Sequence, residues 1–192
     1  YSFFVTYAKI DGYDPTTKAP DIKDRPELDR WILSELQILI VKVSTFLDDY
    51  QPDKATRLLE EFVNDLSNWY VRRSRRRFWR SGTDTDKLSA YETLYECLVT
   101  IIKLLAPMTP FITEKIYQNL VGKLGNGKGS VHLEDFPESK EKYVDEDLSE
   151  ATRLAMKLCS LGRSARSQAS IKVRQPLNEM LVKLRFTAEE KH

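Results

Sequence analysis

Apolar residues recur along the chain at steps of three and four, the spacing that places them on one side of an α-helix. The first stripe comprises Leu28, Ile32, Leu36, Leu39, Val43, Phe46 and Tyr50. Comparable stripes follow it, and glycine, proline and capping residues delimit the helices that they predict: 25–50, 52–80, 84–106, 109–122 and 145–166. The pattern predicts an all-α, up-down bundle of about five helices.

Three segments of the chain differ in pattern. Residues 1–24 precede the first helix and are expected to be a linker, 25–122 form a four-helix bundle, and 123–192 hold a glycine-rich loop, the fifth helix and a short extension. Apolar and polar residues partly alternate at 171–177 and 180–186. This alternation indicates one or two short strands in the extension, which we expect to be otherwise irregular.

The net charge is only +1, from 30 basic and 29 acidic residues, but the charges are unevenly distributed. Residues 69–80, WYVRRSRRRFWR, contain six arginines and no acid. By contrast, 131–150 contain eight acids and two lysines, and 151–186 contain eight basic residues and one acid. The near-neutral total therefore does not exclude a polyanionic partner.

The apolar stripe of the second predicted helix continues into arginines. Steps of three and four residues lead from Phe62 and Leu66 through Trp69 to Arg73. Unpaired guanidinium groups are too costly to bury. This end must therefore meet solvent or carboxylates, dock on a partner or a further domain, or bind the phosphates of a nucleic acid. If the partner is a nucleic acid, Tyr70, Phe78 and Trp79 are candidate platforms on which bases could stack. The candidate RNA-binding residues here are Arg72, Arg73, Arg76, Arg77, Trp79 and Arg80.

A second basic patch follows the fifth helix. Lys172 and Arg174 alternate with Ile171 and Val173, so an extended chain would place both charges on one side. Arg166, at the end of the fifth helix, would enlarge the patch. These three basic residues are RNA-binding candidates, with ordinary surface charge as the alternative.

Residues suited to catalysis or metal binding are few. The sequence has two histidines and two cysteines, and none lies in a nucleophile or zinc motif. No phosphate-binding loop or dinucleotide fingerprint occurs, so we expect neither catalytic residues nor a metal site. Because a signal peptide and an apolar run of roughly 18 residues are also missing, we expect no membrane segment and a reducing, cytoplasmic location.

Several strings of the sequence resemble the isoleucyl-tRNA synthetases. They are FFVTYAKIDGYDP (3–15), RPELDRWILSEL (25–36), FVNDLSNWYVRRSRRRFW (62–79), LLAPMTPFITEKIYQNL (104–120), SVHLEDFP (130–137) and IKVRQPL (171–177). The junction with APMTPF is shared with valyl-, leucyl- and methionyl-type relatives. NWYVRRSRRRFW and IKVRQPL point to the isoleucyl branch.

The resemblance implies an anticodon-binding helical domain that binds the tRNA for isoleucine. It implies that residues 1–24 lead from a catalytic domain, and that the catalytic and editing domains of the same chain are partners. The HIGH and KMSKS signatures do not occur in this sequence. We therefore expect a non-catalytic part of an ATP-dependent ligase that has no cofactor of its own, whereas the full-length enzyme uses ATP and Mg²⁺.

Two other classes of function remain open. The chain could be a helical scaffold that docks through its arginines on a protein partner or on the catalytic domain. The second is a DNA-binding helical protein, which ranks below the scaffold and makes a DNA partner unexpected, because neither a heptad zipper nor a helix-turn-helix signal accompanies the basic helix.

Overall fold

A computed structural model describes residues 1–17, 19–82, 84–122 and 127–183. Its helices are α1 (Ser2–Asp11), α2 (Glu27–Asp48), α3 (Pro52–Asp65), α4 (Arg72–Trp79), α5 (Thr85–Leu105), α6 (Pro110–Leu120) and α7 (Glu146–Gln168). One π-helical turn, Leu66–Val71, joins α3 to α4. Single 3₁₀ turns lie at Ile22–Asp24, Val131–Leu133 and Glu141–Tyr143.

The chain forms two compact units, Tyr1–Val144 and Asp145–His192. The first unit extends beyond the predicted bundle limit at 122, because the segment after the glycine-rich loop returns to α5 and α6. Glu134 holds it there: its carboxylate accepts hydrogen bonds from Lys103 Nζ at 2.8 Å and from the Tyr117 hydroxyl at 2.5 Å. The backbone N–H of Lys128 donates to the same carboxylate at 2.8 Å.

The all-α prediction is confirmed, and each predicted helix is present close to its expected bounds. The segment expected to be a linker contains α1. The prediction of short strands is wrong for 171–177 and for 180–183, which are irregular; 184–186 lie outside the described residues. Most side chains there are exposed, so the alternating apolar residues have no sheet to pack against.

The core of the first unit lies between α2, α3 and α5. Fully or almost fully buried residues include Trp31, Ile32, Leu33 and Leu36 of α2, Ala55 and Leu59 of α3, and Tyr91, Leu94 and Cys97 of α5. A tight turn at Tyr50, in the left-handed region at φ 56°, reverses the chain between α2 and α3. These contacts fix α3, and with it the direction in which the chain enters α4.

The π turn keeps one side of the α3–α4 segment buried along its whole length. Phe62, Leu66, Tyr70, Ser74 and Phe78 are all buried and lie four residues apart. In a continuous α-helix, sixteen residues at about 100° each would rotate Phe78 by about 160° from Phe62. The wider turn absorbs one residue and reduces this drift to about 60°. The sequence indicated that the buried stripe would run into arginines. In the structure the stripe instead continues through Tyr70, Ser74 and Phe78, and the exposed arginines lie beside it.

Helix α6 buries a threonine and leaves two large apolar residues exposed. Helical steps would place Phe111, Ile112 and Tyr117 on one apolar side, and Tyr117 is indeed buried, but Phe111 and Ile112 are 91% and 59% exposed and Thr113 is buried instead. The Thr113 hydroxyl donates to carbonyls of the preceding turn, at 2.9 Å to that of Thr109. A threonine satisfied in this way can be buried at little cost.

Candidate nucleic-acid interface

Helix α4 has an exposed side that carries most of its charge. Arg72, Arg73, Arg75 and Arg76 are exposed, and Arg80 and Trp79 are exposed at its C-terminal end. We call these six residues the arginine face. Ser74 and Phe78 occupy the opposite, buried side. Except for Arg77, the sequence-predicted arginines of this helix therefore share one surface.

Arg77 points inward and pairs with carboxylates. Its two terminal nitrogens contact the two oxygens of Asp29 at 2.6 and 2.7 Å, and its Nε lies 2.9 Å from Asp86 Oδ1. The Asp29 side chain is fully buried. Bidentate pairs of this kind are among the strongest protein hydrogen bonds. Arg77 thus joins α4 to α2 and α5, and its guanidinium is already bound by carboxylates.

A tyrosine completes this buried pair. The Tyr70 hydroxyl, in the π turn, donates to Asp29 Oδ1 at 2.9 Å. Burial, followed by the negative charge of Asp29, raises the pKa of Tyr70 well above its usual value. Tyr70 therefore keeps its proton and donates to Asp29, and it helps to satisfy a carboxylate that has no access to water.

The C-terminal end of α4 is held by α1 and α5. Lys87 of α5, only 1% exposed, pairs with Asp11 Oδ2 at 2.6 Å and donates to the Arg80 carbonyl at 2.8 Å. The Trp79 indole N–H donates to the Tyr7 hydroxyl of α1 at 2.8 Å. The arginine face is thus supported by three helices.

Arg80 itself makes only weak ion pairs. Its Nη1 lies 3.6 Å from Asp84 and 3.7 Å from Asp86, and its side chain is 59% exposed. Exposed pairs of this length contribute about 0–1 kcal/mol. The guanidinium of Arg80 can therefore exchange these carboxylates for phosphate at little cost.

The aromatic residues of this segment have different environments. Tyr70 and Phe78 are 0% and 1% exposed, so the expectation that they serve as stacking platforms is wrong. Trp79 is 58% exposed and fits that role. Trp69, absent from the sequence-based candidates, lies under Arg73, whose guanidinium carbon is 3.8 Å from the ring centroid. Residues four apart are neighbours on a helix surface, so the sequence could have indicated this contact.

The second predicted patch belongs to the second unit. Arg166 Nη1 donates to the backbone carbonyls of Lys172 and Gln175 at 3.1 and 2.8 Å, so this arginine folds the extension back onto the end of α7. The side chains of Lys172 and Arg174 are exposed. Of the three candidates, Lys172 and Arg174 are thus the more accessible.

Sequence reasoning missed the residues that support the arginine face. Asp29, Asp11 and Lys87 are buried or partly buried charges that hold α4 from α2, α1 and α5. Asp29 carried a signal, since it lies three and four residues before the apolar Ile32 and Leu33 of α2. An acid inside an apolar stripe indicates a buried cation partner, although the stripe does not identify it.

The anticodon-binding domain of tRNA ligases matches residues 29–181, about four fifths of the sequence. The chain belongs to this family. The match covers the bundle, the arginine face and α7.

Several curated relatives of this anticodon-binding domain are named isoleucine–tRNA ligases. The ligase of Dehalococcoides mccartyi strain CBDB1 is 57% identical over 98% of this chain and 19% of its own length. Those of Bacteroides fragilis and Bacillus thuringiensis strain Al Hakam are 45% and 48% identical over 100% and 95% of the chain, and 17% of their own lengths. The chain thus spans less than a fifth of the relatives that it matches.

Two further features of the described residues bear on function. They contain no cluster of three or more histidine, cysteine or acidic side chains placed to hold a metal ion. None of the helices described is long and apolar enough to cross a membrane.

Proposed function

We propose that this anticodon-binding domain binds the tRNA for isoleucine as part of an isoleucine–tRNA ligase. The observation that carries the proposal is the arginine face, a row of exposed guanidinium groups from a segment (69–80) that contains no acid, on a helix fixed from behind by buried ion pairs. Arginine forks suit phosphate oxygens. The family match and the names of the relatives support tRNA as the polyanion that binds there.

Within the arginine face, the arginines and Trp79 have separate roles in this proposal: the arginines bind phosphates, and Trp79 is a platform for an unpaired base. Contacts from Arg72, Arg76 and Arg80 to phosphates set the position of the RNA, whereas contacts to unpaired bases of the anticodon stem-loop discriminate sequence. Lys172 and Arg174 add further phosphate contacts. Arg77 contributes indirectly, because its pair with Asp29 keeps the helix in place.

The rest of the ligase reaction belongs to other parts of a longer protein. Its catalytic domain would activate isoleucine with ATP and Mg²⁺, and its editing domain would remove wrong products. The part described here would position the tRNA for both, in the cytoplasm. The lack of HIGH and KMSKS strings in this sequence supports that division.

A filter-binding titration of an isoleucine tRNA transcript against salt tests the proposal. With about five phosphates neutralised, log K should fall with log salt at a slope of roughly −3 to −5. Arg72→Glu and Arg76→Glu should weaken binding and make the slope shallower by about 0.7–0.9 for each lost contact. Arg57→Glu, on an exposed position of α3, is the matched control and should change both quantities less.

The main alternative is a helical scaffold that docks through its arginine face on a protein or on the catalytic domain. The 58% exposure of Trp79 favours such a role. In that case Arg73→Glu and Arg76→Glu would leave tRNA affinity intact and would weaken association with the partner domain. Equal loss of tRNA binding with both substitutions rejects the alternative. Competition with duplex DNA distinguishes a general nucleic-acid binder.

A further inference from the structure

Arg73 differs from the other exposed arginines of α4 because an aromatic ring lies beneath it. Its guanidinium carbon is 3.8 Å from the centroid of the half-buried Trp69 ring, a distance at which the cation lies directly over the aromatic face. A guanidinium is planar and has two faces. Trp69 covers one of them, and because Arg73 is exposed, solvent can reach the other.

Such a stack is suited to a base more than to a phosphate. Bases stack on guanidinium planes as well as on aromatic rings, whereas phosphates bind the N–H edge of the fork. The ring also restricts the rotamers of Arg73, so less conformational freedom is lost when a base is added.

The neighbouring row of side chains consists of amides. Asn68 directly precedes Trp69, and Asn64 lies four residues before Asn68. Both are exposed, and Asn68 Nδ2 donates to Asn64 Oδ1 at 2.6 Å. Each amide has two N–H groups and one acceptor oxygen, of which this bond uses only part. Groups of this type hydrogen-bond the edges of bases.

We infer that Trp69 and Arg73 form a preorganised platform on which one unpaired RNA base stacks against the outer face of the Arg73 guanidinium. The inference rests on the proposed function and adds a specific subsite to it. Around the platform, the other arginines supply phosphate contacts, which are tolerant of sequence.

The decisive variant is Arg73→Lys, which keeps the charge but removes the planar group. Its matched control is Arg72→Lys, the same exchange on the adjacent exposed arginine. Both are compared with the unsubstituted chain by filter binding to two RNAs: an isoleucine anticodon stem-loop with unpaired loop bases, and a blunt duplex of equal length. Because both positions are exposed, circular dichroism should show an unchanged helix content.

We expect Arg73→Lys to weaken binding of the stem-loop at least about fivefold more than Arg72→Lys does, as for loss of one stacked base. The two variants should bind the duplex equally, and the salt slopes should agree because charge is conserved. Equal losses for both variants on the stem-loop would overturn the platform while leaving tRNA binding intact. If the unsubstituted chain shows no salt-dependent binding to either RNA, the proposed function fails and the platform with it.

Discussion

The clearest test of the packing behind the arginine face is removal of one partner of its buried ion pair. In Arg77→Ala, the carboxylate of Asp29 stays in a site with no solvent exposure and loses two hydrogen bonds of 2.6 and 2.7 Å. Breaking a buried pair in this way costs about 3–5 kcal/mol. Since the Tyr70 hydroxyl still donates to Asp29, we expect the lower end, about 3 kcal/mol.

Urea denaturation followed by tryptophan fluorescence measures this cost. All three tryptophans, at 31, 69 and 79, belong to the first unit, so the signal reports that unit alone. With a slope of about 2 kcal/mol per M urea, the midpoint should fall by about 1.5 M. Arg76→Ala, on the exposed side of the same helix, should change the free energy of unfolding by no more than about 0.5 kcal/mol.

A midpoint for Arg77→Ala equal to that of Arg76→Ala would refute the reasoning, because the pair would then contribute nothing measurable. A second comparison separates charge from volume. Asp29→Leu combined with Arg77→Met removes both charges, and it should be more stable than Arg77→Ala because no carboxylate is left buried alone.

Three further outcomes are expected. Hydrogen bonds from Lys103, the Lys128 N–H and Tyr117 lower the pKa of Glu134 to about 2, so its stabilising effect is complete above about 4.5 and is lost as the pH falls towards 2. Between pH 5 and 3 the urea midpoint should therefore fall further for the unsubstituted chain than for Glu134→Gln; parallel curves would contradict this. Lys87→Met leaves the Arg80 carbonyl without that donor and should cost about 1–3 kcal/mol by the same urea assay, whereas Lys115→Met on exposed α6 should be nearly neutral. In the salt titration, Arg75→Ala should lower tRNA affinity with a shallower slope but leave the free energy of unfolding unchanged, and a large loss of stability would show that this arginine is structural.

Periodicity was enough to predict the helices from residue 25 onward, because their apolar residues recur at helical steps, but it did not predict α1 in the segment expected to be a linker. It failed where a contact came from elsewhere in the chain. Phe111 and Ile112 look like core residues, but both are exposed, and the polar Thr113 is buried beside Tyr117. The alternating residues 171–177 look like a strand, but the carbonyls of Lys172 and Gln175 accept bonds from Arg166.

The arginine face was predicted as a set of residues but not as a surface. With regular α-helical geometry through Trp69, the sequence places Arg77 among the exposed arginines and leaves Tyr70 and Phe78 open to stacking. One extra residue in the π turn rotates the following side chains by about 100°, and this rotation is not visible in a count of threes and fours. The partner that Arg77 meets, Asp29, lies 48 residues earlier in the sequence.

The π turn also determines where the chain can change its length. Deleting one residue from a regular helix rotates everything after it by about 100° and exposes the buried side. In the turn Leu66–Val71 the supernumerary residue is already accommodated, so loss of the exposed Ser67 would restore ordinary α geometry and leave Phe78 inside and the arginines outside. The segment that looks most irregular is therefore the place in this long helix where a one-residue deletion preserves both faces.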